Sequence, residues 1–114
     1  MRDFVKVMKA LSDANRIKIV KMLQYRMLCV CEIRELLGVT QPTVSKHLKV
    51  LEEADLVRSC KNGQWVDYYL AGKEGGAYAV ALLGQMAGWL EEDPEIGAIL
   101  ERLPSVSRNI ICGG

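Results

Sequence analysis

A mainly α fold with a small β-hairpin is predicted by three observations along the 114 residues. Apolar residues recur at helical spacing through most of the chain. The stretch from Leu28 to Leu56 holds two short amphipathic segments that meet at Gly38. Directly after it the period becomes that of strands, and Asn62-Gly63 stands between two strand-like runs. Asn-Gly is the strongest short hairpin signal, because the central residues of such a turn take positive φ. Two helices at a tight turn followed by a hairpin make a winged helix–turn–helix.

Each element has its own local reason. Phe4, Val7, Met8 and Leu11 mark a first helix, and Ser12-Asp13 breaks it. Asp13 is placed to cap the next helix, Ala14 to Gln24, with Ile17, Val20 and Leu23 inward and Arg16, Lys18 and Lys21 outward. Val30, Ile33, Leu36 and Leu37 give the third helix its buried stripe, and Gly38 supplies the backbone freedom of the turn. Thr40 is placed to cap the fourth helix by accepting from an orphan N–H, and Pro42 falls in its first turn, where a missing donor is harmless. Val44, Leu48 and Leu51 form the inner face of that helix. Val57 to Lys61 and Gln64 to Leu70 read as strands, and Ala71 to Gly76 as a loop. A helix follows from Ala77 to Glu91, with Ala77, Ala81, Gly84 and Gly88 on one stripe that another backbone can approach. Asp93-Pro94 breaks it, and Ile96, Ile99, Leu100 and Leu103 suggest a last short helix, Glu95 to Leu103, ended by Pro104. Residues 1–104 are thus expected to form one DNA-binding and dimerisation domain, and 105–114 a flexible tail carrying Cys112.

Composition narrows the partners. Net charge is only +1. From Ala14 to Lys61, however, nine Lys or Arg face five Asp or Glu, a net of +4, whereas residues 62–114 carry −4. The basic block coincides with the two-helix motif. The uncharged run Gly75 to Leu90 is too short and too rich in Gly and Ala for a membrane span and reads as a buried helix. Met1-Arg2-Asp3 leads straight into an amphipathic segment rather than a signal peptide. A cytoplasmic protein with reduced thiols and no membrane partner is the expectation.

The fourth helix carries the chemistry of a reader. Opposite its buried face lie Gln41, Thr43, Ser45, Lys46, His47 and Lys49, hydrogen-bonding and cationic groups with no acid among them. Such a face suits the major groove of double-stranded DNA. Gln41, Thr43 and Ser45 lie near the helix start, where base edges are read, and Lys46 and Lys49 are placed for phosphates. His47, the single histidine, is expected to contact phosphate or to pack beside the helix rather than to hold a metal. Arg58, Lys61 and Asn62 add polar and basic groups on the hairpin.

Cys29 and Cys31 stand just before the motif, Cys60 lies in the first hairpin strand, and Cys112 lies in the tail. Residues two apart on a helix do not face each other. Two sulfurs on one ion each sit about 2.3 Å from it, taking zinc as guide. Binding through Cys29 and Cys31 therefore has to unwind or bend the start of the third helix, which packs on the fourth. Thiolates prefer soft ions, so arsenite, antimonite and cadmium rank above magnesium or calcium. Cys60 reads as structural or incidental, and Cys112 as a third ligand able to search from the tail. Trp65 and Trp89 read as packing residues.

Four segments together resemble the arsenic-repressor (ArsR/SmtB) family of winged-helix transcription factors. They are Ala10-Leu11-Ser12-Asp13-Ala14-Asn15-Arg16, Leu28-Cys29-Val30-Cys31-Glu32-Ile33, Gln41-Pro42-Thr43-Val44-Ser45-Lys46-His47-Leu48 and Gly63-Gln64-Trp65-Val66-Asp67-Tyr68-Tyr69-Leu70. The resemblance covers roughly residues 1–92. It implies a homodimer, made by the first and last helices, that represses its operator and releases it on binding a metal or metalloid. The segment around Cys29 and Cys31 resembles the arsenite and antimonite site of the family, whose third cysteine comes three residues after the second; here that position is Arg34. The family's other site needs Asp and His ligands on the last helix, and Tyr78 to Glu91 contains no His. The expected function is a repressor induced by arsenite or antimonite at Cys29, Cys31 and Cys112. A repressor switched by thiol oxidation is the alternative. A winged-helix module without effector would bind DNA equally with and without metal. A thiol enzyme is disfavoured, since Cys-x-x-Cys, a second His and a phosphate loop are all missing.

Overall fold

The computed structural model describes residues 1–108. In chain order they form α1 (Arg2–Ala10), α2 (Ala14–Leu23), β1 (Leu28–Cys29), α3 (Val30–Leu37), α4 (Gln41–Glu53), β2 (Val57–Asn62), β3 (Trp65–Leu70), α5 (Ala77–Met86) and α6 (Pro94–Arg102), with short 3₁₀ turns at Gly72–Glu74 and Leu103–Ser105. α3 and α4 are the helix–turn–helix, and β2–β3 the wing.

Helix ends follow the local chemistry. Asp13 caps α2, accepting from the N–H groups of Asn15 at 2.8 Å and Arg16 at 3.2 Å. Partial burial pulls its carboxyl upward, but those two bonds and the Arg16 charge outweigh this and hold it below the usual range. Gly38 ends α3 at φ 71°, the left-handed conformation that glycine adopts without Cβ strain. Thr40 occupies the N-cap of α4, but its side chain does not take the expected orphan N–H; its hydroxyl pairs with that of Thr43 at 2.9 Å.

The core gathers around α2. Ile19, Val20 and Met22 meet Ile33 of α3, Val44, Leu48 and Leu51 of α4, and Leu28 of β1, all essentially closed to solvent. Because α2 is surrounded, its outward expectation fails at Lys21, which is only 1 % exposed. The Lys21 ammonium donates to the carbonyls of Met86 at 2.9 Å and Trp89 at 2.7 Å, and lies 3.6 Å from Glu91. A buried cation needs such partners. Those carbonyls close the end of α5, which stops at Met86 rather than at Glu91, with Leu90 turning at φ 61°. The lysine therefore joins the central helix to the chain beyond α5.

α5 is not the wholly buried helix expected from its apolar run. Ala79, Leu83 and Met86 face inward, while Tyr78, Val80, Ala81 and Gly84 are exposed. Beside it α1 exposes Phe4, Val5 and Met8, and the Phe4 and Tyr78 rings meet edge to face at 5.2 Å. These two helices form one uncovered apolar face.

The sheet has three strands rather than two, in order β1-β3-β2. Leu28 and Cys29 pair with Tyr68 and Asp67 across 40 and 38 residues of chain, a partnership no local pattern announces. The hairpin turn is also displaced by one residue. Asn62 pairs with Trp65, so Gly63-Gln64 are the central residues, and only Gly63, at φ 62°, is left-handed. Glycine at the first central position is the requirement of a type II′ turn, and Asn62 is released to close β2.

Residues 105–108 pack against the body. Val106 is buried and Arg108 pairs with Asp67 while lying over the Trp65 ring at 5.2 Å. Cys112 and the rest of the expected tail, 109–114, lie outside the described residues.

Candidate nucleic-acid interface and cysteine corner

α4 turns Val44, Leu48 and Leu51 into the core, and helical geometry then sends the remaining positions outward. Gln41, Ser45, Lys46 and Lys49 are exposed, and Thr43 and His47 are half-buried at the edges of the same face. The structure thus brings six of the nine residues expected at DNA onto one helix. Thr43 is engaged by Thr40, and His47 Nδ1 lies 3.2 Å from Arg16 Nη1. On the wing, Lys61 and Asn62 are exposed near the tip. Asn62 also donates to the Asp67 carboxylate at 3.2 Å. Arg58 sits at the root of the wing, where its Nη2 donates to the Glu74 carbonyl at 2.9 Å; it is held away from the tip.

The cysteines occupy three different environments within the described residues. Cys29 is the N-cap of α3, in extended conformation at φ −91° and ψ 171°, and is 3 % exposed. Its N–H donates to Glu32 Oε1 at 2.9 Å, and the Glu32 N–H points back at its sulfur. This is a capping box with a weak half, since sulfur is a poor acceptor. Burial first, and the Glu32 carboxylate second, push the Cys29 thiol above its ordinary range. Cys31 lies two residues on, half-buried in the first turn of α3. Cys60 is exposed on β2, and both it and Cys29 are register partners of Asp67. A whole strand therefore separates Cys60 from Cys29, about 9.5 Å at ordinary sheet spacing.

Sequence reasoning passed over the groups that hold this corner. Glu32 is 4 % exposed and accepts from Arg26 Nη1 at 3.2 Å as well as from Cys29. Arg26 in turn donates to the carbonyls of Leu103 at 3.3 Å and Val106 at 2.8 Å. At the other end of α3, Arg102 donates to the Glu35 carbonyl at 3.2 Å. The last residue of α6 thus holds the carbonyl end of α3, and the segment after α6 holds its other end through Arg26. One local signal was available: Glu three residues after the cap position is the capping-box spacing, disguised by a cysteine where serine or threonine is usual.

Among the described residues no three His, Cys, Asp or Glu side chains gather as a metal site, and no helix is long and apolar enough to cross a membrane. The corner offers one free thiol, Cys29, beside one acidic neighbour, Glu32, while Cys31 is engaged in a disulfide. It lacks the paired nucleophile and base of a catalytic site.

Residues 13–59 match the model of the bacterial regulatory proteins of the arsR family. The arsenical resistance operon repressor of Escherichia coli (strain K12) is 33 % identical over 100 residues, which are 87 % of this chain and 83 % of that protein. The cadmium resistance transcriptional regulatory protein CadC of Listeria innocua is 41 % identical over 63 residues, 54 % of this chain and 53 % of that one. The homodimeric winged helix–turn–helix DNA-binding domain of a possible ArsR-family regulator from Mycobacterium bovis superimposes with a TM-score of 0.63 at 27 % identity, covering 75 % of this chain and 79 % of the other. With its reading helix, wing and cysteine corner, the chain belongs to the arsR family and is a DNA-binding transcriptional regulator, not an enzyme.

Proposed function

We infer that this regulator is a cytoplasmic, homodimeric repressor that holds double-stranded operator DNA through α4 and the wing. It releases the operator when arsenite, antimonite or another thiophilic ion is taken up by Cys29 and Cys31 of the reduced protein. The observation that carries the reading is the position of Cys29: it is at once a candidate ligand and the cap of the helix that packs on the reading helix. The similarity to an arsenical repressor supports a metalloid signal over thiol oxidation.

The corner supplies the chemistry of uptake. Each thiol passes its proton to a hydroxyl of arsenous acid, an arsenic–sulfur bond forms, and water leaves. Two sulfurs on one centre must approach each other, yet Cys29 is extended and Cys31 is helical. Their convergence pulls Cys29 out of its bond with Glu32, frees Arg26 from its anchor and opens the first turn of α3. Because α3 and α4 share one core, the reading helix shifts with it.

A trivalent centre takes a third ligand, and Arg34 cannot donate one. Cys112 is our candidate. Arg108, four residues before it, is tied to Asp67, the register partner of Cys29. Four residues of chain can span at most about 14 Å, a length compatible with Cys112 reaching the corner. The exposed faces of α1 and α5 are the proposed dimer contact, and the homodimeric neighbour supports it. Ala81→Arg places a charge on that face, and sedimentation should then show monomers.

An operator-release assay with a panel of arsenite, antimonite and cadmium tests the reading. Release by at least one ion, lost in Cys29→Ser, is expected. Undiminished DNA binding under every ion would leave only a winged-helix module without effector. Weaker arsenite affinity in Cys112→Ser, with altered ultraviolet sulfur-to-arsenic absorption, is expected if the third ligand is Cys112; an identical spectrum excludes it.

A further inference from the structure

The end of α1 and the outer edge of α4 meet at one side chain, Arg16. The last turn of α1 leaves carbonyls short of helical donors, and the Lys9 carbonyl accepts from the Ser12 N–H at 3.1 Å and hydroxyl at 2.7 Å. Arg16 Nε donates to the Ala10 carbonyl at 2.7 Å and Nη2 to that of Lys9 at 3.2 Å. The remaining corner, Nη1, lies 3.2 Å from His47 Nδ1 and 3.9 Å from Asp13 Oδ2. A guanidinium has donors only and stays protonated, so Nδ1 must be the acceptor. His47 is then a neutral imidazole whose one proton is on Nε2, the ring edge away from Arg16. That edge belongs to a half-buried side chain flanked by exposed Ser45, Lys46 and Lys49.

We propose that Arg16 is a positioning residue for operator binding: it locks His47 as the Nε2–H tautomer and aims that N–H at a DNA phosphate. The proposal rests on α4 being the DNA reader. It adds a link from the last turn of α1, on the proposed dimer face, to the reading helix, across 31 residues of sequence. A neutral donor positions the helix without displacing a counterion, because only cationic contacts enter the salt dependence.

Three outcomes distinguish it from a merely structural arginine. First, His47→Ala lowers operator affinity about tenfold per protomer, the scale of one lost hydrogen bond, with an unchanged salt slope. Second, His47→Gln restores most of it, since the amide oxygen accepts from Arg16 and its NH₂ stands near the place of Nε2–H, whereas His47→Asn is too short. Third, Arg16→Met combined with His47→Ala costs no more than the larger single change, because the two act as one unit. Nitrogen NMR of this single histidine needs no DNA: the free protein shows one Nε2–H tautomer, and Arg16→Met shows both in exchange. Additive losses, or an Nδ1–H tautomer in the wild type, overturn the proposal. If Lys46→Ala and His47→Ala both leave affinity unchanged, it is the docking of α4 that fails. If Lys46→Ala weakens binding and His47→Ala does not, only the role given to Arg16 and His47 fails. Should Arg16→Met unfold, the His47→Gln and His47→Asn pair still decides.

Discussion

The two helices of the helix–turn–helix differ in what their polar groups do. Around α3 they are engaged inside the molecule: Glu32 holds Cys29 and Arg26, and Arg102 holds the carbonyl end. On α4 the exposed side chains of Gln41, Ser45, Lys46 and Lys49 make no hydrogen bond or ion pair with another described residue. The capping turn of one helix is saturated and the helix is held from both ends; its neighbour presents open valences to solvent. A saturated element changes state only when a bond is broken, which suits a sensor. An open face changes state when something is laid on it, which suits a reader.

The largest effect expected from this contrast is at the cap. Cys29→Ser and Cys31→Ser should each abolish ion-driven release while ion-free operator affinity stays at the wild-type level. Loss of DNA binding in the ion-free variants would make the corner part of the reader and erase the distinction.

Next comes pH. The raised Cys29 thiol favours the protonated form in the fold. Its contribution to stability is present below the unfolded thiol range and is lost as pH rises through the higher folded one. A divalent ion must displace that proton, so cadmium affinity should climb with pH by about tenfold per unit for each thiol deprotonated. Arsenous acid carries the proton away as water, and its affinity should stay nearly flat around neutrality. Calorimetric titrations at several pH values compare the two; equal slopes would contradict a buried, protonated Cys29 as ligand.

Stability separates the helices further. Glu32→Gln removes the charged acceptor for Arg26 and weakens the cap, at a cost of about 1–3 kcal/mol in unfolding free energy measured by denaturant titration. Gln41→Ala should change stability by less than about 0.5 kcal/mol, yet alter which operator bases matter. The smallest effect is graded. Lys46→Ala and Lys49→Ala should each reduce the salt slope of binding by about one, with sequence preference intact. A slope unmoved by either would remove both lysines from the phosphate contacts.

What could be read in advance was what neighbours in sequence decide. Asp13 as a cap, Gly38 as the turn, and Val44, Leu48 and Leu51 as the buried stripe all depend on residues within one or two turns. The reading face followed from the same stripe by elimination. The corner was harder. Cys29 and Cys31 were visible as a pair, but the second half of their environment comes from Val106 and Asp67, brought in by the segment after α6 and by β3, with Arg26 tying Val106 to the corner.

By itself the sequence determined the order of elements, the inward face of each helix and the residues offered to DNA, because helical periodicity, capping and turn preferences act over a few residues. Only the tertiary structure decided where charge is buried. Lys21 carries the same local pattern as an exposed lysine, and it is closed off because carbonyls 65 and 68 residues away meet its ammonium. The third strand at Leu28–Cys29 exists because Tyr68 and Asp67 lie beside it. The same holds for Arg16 and His47 across 31 residues. Each of these depends on a partner that the chain supplies only after it has folded back on itself.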